Sequence, residues 1–130
     1  MKKIKLFLIV ALGCIMLVGC SSNKLSDDFN EEELKSTTED VIKMLCNGEY
    51  DKIKEMSGQE LIDAGVTDKI KEVWEPIAND LGEFDSYDKE AVVGNGDQAT
   101  VVIISKFENG NVKFTISYNK DMKLTGFYIK

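Results

Sequence analysis

The chain predicts an α+β fold, with three N-terminal helices packed on one face of a curved four-stranded antiparallel sheet. Three observations point there. Apolar residues recur at helical spacing up to Leu81, the period changes to two from Glu83 onward, and Asn109-Gly110 marks a tight hairpin between two alternating runs. Helices come first and strands follow without interleaving, the order of an α+β domain rather than a doubly wound one.

Ahead of the domain stands an address. Met1-Lys2-Lys3-Ile4-Lys5 is basic, Leu6 to Gly19 is an apolar stretch of 14 residues, and small residues precede Cys20. These are the parts of a secretory signal peptide, and the stretch is shorter than the ~18–20 apolar residues that span a bilayer. Leu17-Val18-Gly19-Cys20 resembles the lipobox of bacterial lipoproteins. That resemblance implies a diacylglyceryl group on the Cys20 thiol, cleavage before it, and a chain held by lipid on the extracytoplasmic face of the membrane. Residues 1–19 then form the leader, 20–30 the lipidated cysteine and a polar tether, and 31–130 a single domain. Ten tether residues reach at most ~35 Å.

Cleavage removes three lysines and no acid, taking the net charge from −7 to −10 on 111 residues. Every basic residue is lysine, and histidine is absent. An acidic surface without arginine argues against nucleic acid and against a polybasic membrane patch. Without histidine there is no imidazole base and no histidine metal ligand, and no cofactor motif stands out. Cys14 leaves with the leader and Cys20 is taken by lipid, so Cys46 is the lone free thiol. It reads as a small buried hydrophobe near a helix end, with no cationic setting to activate it.

Asn30 is placed to cap the first helix, with Glu33 to complete a capping box and Phe29 and Leu34 as a hydrophobic staple. Glu31, Glu32 and Glu33 suit the positive end of the helix dipole rather than a metal. Leu34, Thr38, Val41, Ile42 and Leu45 form its buried stripe, and Asn47-Gly48 ends it. A shorter helix over Tyr50–Ser57 follows, with Glu60–Ala64 able to add a turn. The third helix runs from an N-cap at Thr67 to Leu81, burying Ile70, Val73, Trp74, Ile77 and Leu81. Pro76 projects away from that stripe, so a modest kink accommodates it.

Phe84 to Val93 is the first strand; Phe84 and Tyr87 are three apart, which asks for a bulge. Gly94-Asn95-Gly96-Asp97-Gln98-Ala99 fits a dinucleotide fingerprint, but a β-branched run follows where that motif needs a helix, so it reads as a turn. With Asn109-Gly110 at the centre of a type I′ turn, Phe107 pairs with Val112, Ser105 with Phe114, Ile103 with Ile116 and Val101 with Tyr118. That face is apolar except at Ser105 and takes the helices. For the last hairpin, a three-residue loop pairs Tyr118 with Leu124, Ile116 with Gly126 and Phe114 with Tyr128. A two-residue loop would instead turn Thr125 and Phe127 inward; the first is preferred, because Gly126 leaves room opposite Ile116.

The run Gly48-Glu49-Tyr50-Asp51, the junction Leu81-Gly82-Glu83-Phe84, Phe107 with Val112-Lys113-Phe114, and Leu124-Thr125-Gly126-Phe127 together resemble the domain of unknown function 3887. The resemblance covers Leu34 to Ile129. It implies the cone fold of nuclear transport factor 2-like proteins and carries over no catalytic residue.

Three functions follow in order. The first is a lipid-anchored, non-catalytic binding module taking a small apolar ligand or a peptide, with Trp74, Phe114, Tyr118 and Tyr128 lining a pocket between helices and sheet. The second is a homodimeric interaction or assembly subunit for a membrane partner, using an apolar outer face of Val102, Ile104, Phe127 and Ile129. The third is an isomerase- or hydrolase-like enzyme. The inward positions of the last three strands carry no acid, so only Asp85 or Asp88 could supply its base.

Overall fold

A computed structural model describes residues 25–130; the leader, Cys20 and the first tether residues lie outside them. Four helices precede four strands: α1 (Glu31–Cys46), α2 (Tyr50–Met56), α3 (Gln59–Asp63), α4 (Val66–Leu81), β1 (Phe84–Asn95), β2 (Gln98–Phe107), β3 (Gly110–Tyr118) and β4 (Leu124–Ile129). The extra helix is the turn anticipated after Glu60. The strands form one antiparallel sheet in the order β1-β2-β3-β4, curved and unclosed, with the helices on its inner face.

Helix α1 is built as its sequence reads. Asn30 Oδ1 accepts from the Glu33 amide at 2.9 Å, Phe29 and Leu34 are both buried, and Leu34, Thr38, Val41, Ile42 and Leu45 form the buried stripe. At the other end the Glu49 amide donates to the Met44 carbonyl and the Gly48 amide to the Leu45 carbonyl, the double bond of a Schellman cap. Helix α4 departs from expectation at its start. Gly65 is the N-cap, while Thr67 is the second residue of the helix, buried, its hydroxyl without a protein partner. Val73 is exposed, because Trp74, one residue on, points into the sheet and takes the core position. Pro76 faces solvent, as its place on the helix wheel requires.

Two hairpins differ in register from their sequence reading. In β2–β3 the turn residues are Glu108 and Asn109, so Phe107 pairs with Gly110, Ser105 with Val112, Ile103 with Phe114 and Val101 with Ile116. The shift is two residues, so every side chain keeps its face. The cause is tertiary. The Asn109 amide donates to the Leu81 carbonyl at 2.8 Å, its side chain to the Asp80 carbonyl at 3.2 Å, and the Glu108 amide to the Glu83 carbonyl at 2.8 Å. The turn plugs the end of α4, whose last carbonyls have no partner within the helix.

In β3–β4, Tyr118 pairs with Leu124 as preferred, but a bulge at Thr125 then puts Gly126 opposite Ser117, Phe127 opposite Ile116 and Tyr128 opposite Thr115. Strict alternation buries either Leu124 or Phe127; the bulge buries both. Gly126 accordingly lies against Ser117 and leaves no cavity opposite Ile116. Strand β1 carries two bulges, at Asp85 and Asp88, which bring Phe84 and Tyr87 to the same inner face. The Gly96-Asp97 turn leads straight into β2, which excludes the dinucleotide loop.

Candidate functional site

The aromatic residues expected to line a pocket fill the interior instead. Trp74 is 2% exposed, with its ring centroid 5.7 Å from Phe114 and 5.9 Å from Phe107. Phe84 meets Phe107 edge-on at 5.5 Å. Tyr118 is buried with its hydroxyl 2.7 Å from Thr38 Oγ1. Thr38 already donates to the Leu34 carbonyl at 2.8 Å, so Tyr118 is the donor in the pair. Burial pushes the Tyr118 phenol well above its ordinary range. Tyr128 is 52% exposed on the opposite face of the sheet, turned there by the Thr125 bulge. Of the four expected pocket residues, Trp74, Phe114 and Tyr118 are therefore buried in the core, the first two in ring contact, and Tyr128 lies apart from them.

The same bulge corrects the expected outer face. Val102 and Ile104 lie there, while Phe127 and Ile129 belong to the inner one, opposite Ile116 and Phe114. Their places outside are taken by Tyr128 and, from β1, Ala91 and Val93.

Asp85 and Asp88, the aspartates considered as bases, are exposed at the two bulges. The inward acid of β1 is Glu90, opposite Ile103. Simple alternation along β1 hides it, because the two bulges change which residues beyond them face inward. Burial and a contact shared with Glu39 raise its carboxyl to about 7, with Lys35 opposing. Tyr87 stands beside this pair. Its hydroxyl donates to the Glu39 carbonyl at 3.1 Å, and burial with the nearby Glu39 charge pushes it up to about 12. With that hydroxyl committed to the backbone, the cluster ties α1 to β1. Cys46, expected to be buried, is exposed at the end of α1, and desolvation holds its thiol above the usual range. Among the described residues no group of three or more Asp, Glu or Cys is arranged to hold a metal, and no helix is long and apolar enough to cross a membrane.

Open space lies outside the core. A cleft of about 450 Å³ is lined by Met44, Met56, Met122, Lys52, Glu55, Asp121 and Lys123, and so lies between α1, α2 and the β3–β4 loop. The other two of the chain's five methionines are Met1 and Met16, so every methionine beyond the leader lines this cleft. Met122 has φ 62°, the one positive φ outside glycine among the described residues. Asn119 holds it there: Oδ1 accepts from the Asp121 and Lys123 amides at 2.9 and 3.0 Å, and the Asn119 carbonyl accepts from the Met122 amide at 2.9 Å. Just beyond Met56 and Lys123, the Gly58 amide donates to the Leu124 carbonyl at 2.8 Å, extending the β4 edge by one bridge. The methionine count was the available signal for this site; their helical spacing was not, since they come from three separate elements.

With fold and clefts in place, the comparisons bear on the chain. The family model described as Protein of unknown function (DUF3887) matches residues 38–127. The chain belongs to that family. A solved structure, "NMR structure of protein from Ruminococcus gnavus ATCC 29149", is similar to it at 24% identity and a TM-score of 0.72, over 82% of this chain and 96% of that one. The likeness extends the fold beyond this DUF3887 member and says nothing of activity. No curated protein matches.

Proposed function

We propose that this DUF3887 protein is a lipid-anchored, extracytoplasmic and non-catalytic binding module whose ligand site is the methionine-lined cleft. The ligand is a small apolar molecule or the apolar side chains of a peptide. The observation that carries this reading is Met122, held at φ 62° on the cleft wall. A non-glycine residue in the left-handed region costs of order 1 kcal/mol and persists where the surroundings impose it, as they do at ligand clamps. Unbranched thioethers adapt their shape to an apolar guest, which suits a shallow cleft better than a packed cone. Lys52, Lys123, Glu55 and Asp121 at its rim would orient a polar end.

Native mass spectrometry of the full chain, released from membranes in mild detergent, tests this. The expected result is a retained adduct that Met122→Gly loses, while Met122→Gly itself unfolds at a higher temperature because glycine relieves the strain. A bare mass for the parent protein, together with methionine methyl NMR signals that an apolar dye leaves unchanged, would sink the reading.

A further inference from the structure

The outer face of the sheet carries a charge pattern unlike the rest of this acidic chain. Its paired positions are Ser86 with Lys106, Lys89 with Ile104, Ala91 with Val102 and Val93 with Thr100; Lys106 with Asn111, Ile104 with Lys113 and Val102 with Thr115; then Thr115 with Tyr128 and Ser117 with Gly126. The Lys130 amide bonds the Lys113 carbonyl, which puts Lys130 in the same row. No acid occupies any of these paired positions, although the chain has net charge −7; the acids nearest them are Asp85 and Asp88, exposed at the β1 bulges beside Ser86 and Lys89. Lys89, Lys106, Lys113 and Lys130 are all exposed, and none forms an ion pair among the described residues. Three of them share one row across the strands, about 5 to 10 Å apart by strand spacing. Like charges so placed destabilise the sheet.

Beside that row the face is apolar. Ala91, Val93 and Tyr128 are exposed, and a groove of about 480 Å³ is lined by Lys89, Glu90, Ala91, Val102 and Ile104. Glu90 belongs to it only as the strand residue between Lys89 and Ala91; its pairing with Ile103 is on the inner side.

We infer that this face docks an acidic protein segment in which carboxylates alternate with apolar side chains. Its carboxylates take the Lys89–Lys113–Lys130 row and Lys106, and its apolar residues cover Val102, Ile104 and Tyr128. Charge complementarity selects this occupant. A second copy packed face to face would offer its four lysines only Asp85 and Asp88, both at the bulged end of the β1 edge. An anionic bilayer fits less well. The chain enters the domain at the opposite end of the sheet, where Asp28 and Asp97 flank Lys120 and Glu31, Glu32 and Glu33 are exposed. A domain tethered from that end presents acids, not lysines, to the lipid.

The test uses the full chain in neutral detergent, with a labelled peptide alternating glutamate with isoleucine and valine, followed by NMR and anisotropy. The expected result is a salt-sensitive complex that shifts Val102, Ile104, Thr115 and Tyr128. Lys89→Glu and Lys113→Glu each weaken it by about tenfold or more, while Lys69→Glu on α4 leaves it unchanged. Absence of binding overturns the inference. So does binding that moves other residues, self-association through this face without peptide, or attachment to phosphatidylglycerol vesicles in preference to the peptide.

Discussion

Glu90 and Glu39 face each other across the α1–β1 seam, and the Glu90 carboxyl rises from its ordinary 4.5 to about 7. Folding therefore takes up a proton between about 4.5 and 7. The stability this site permits is greatest at the acid end of that window, falls as pH climbs through it, and is level above. Glu90→Gln keeps a donor toward Glu39 and removes the titration. At pH near 8 the variant should be more stable by about 1 kcal/mol, a figure reduced for solvent screening, and near pH 4 it should match the parent. Urea unfolding at the two pH values checks this; parallel profiles would show that Glu90 takes up no proton on folding. Ser105 offers a second residue-scale test. It is wholly buried on the inner face and its hydroxyl has no protein partner. An unsatisfied buried hydroxyl costs about 1–3 kcal/mol, so Ser105→Ala should raise the unfolding free energy by about 1 kcal/mol. A loss of that size would mean the hydroxyl is bonded in solution.

Between elements, the decisive contact is the β2–β3 turn seated on the end of α4. Gly82 turns the chain there at φ 80° and ψ −153°, a region essentially confined to glycine, and a Cβ on it would stand 3.0 Å from Glu108 Cβ. Gly82→Ala should cost about 2 kcal/mol or more, strain and clash together, whereas Gly96→Ala, at φ 65° in open space, should cost about 1. Thermal unfolding of the two variants checks this; equal losses would show that Gly82 is no more constrained than a glycine in an open turn. This junction also marks where local reading stops. Asn109-Gly110 signals a hairpin correctly, but which residues turn is decided by α4 carbonyls nearly thirty positions upstream. Caps and stripes of α1 were legible because their partners lie within a few residues. The Thr125 bulge was not, since alternation alone offers two registers and only packing shows that both Leu124 and Phe127 can be buried. The expected aromatic pocket failed for the same reason: Trp74, Phe114 and Tyr118 were rightly placed inside, but their spacing could not show that they fill the space between helices and sheet.

Across the whole molecule, the packed interior leaves two outward features, a methionine cleft and a lysine-bearing sheet face. Neither explains attachment to a membrane. The domain is acidic, and no described helix is long and apolar enough to span a bilayer. If the protein is held there, the holding group is the lipid proposed on Cys20, where two acyl chains suffice for stable anchoring and one does not. Mass analysis of the chain isolated from its native membrane should find an N-terminal peptide beginning at Cys20 and heavier by a diacylglyceryl group. Cys20→Ser should take up no labelled fatty acid and leave the membrane fraction. Its circular dichroism and unfolding temperature should match the parent, because Cys20 lies well ahead of the family domain, residues 38–127. An unmodified cysteine, or a mature end elsewhere, would sink the anchor while leaving the cleft and the lysine face to be judged on their own binding experiments.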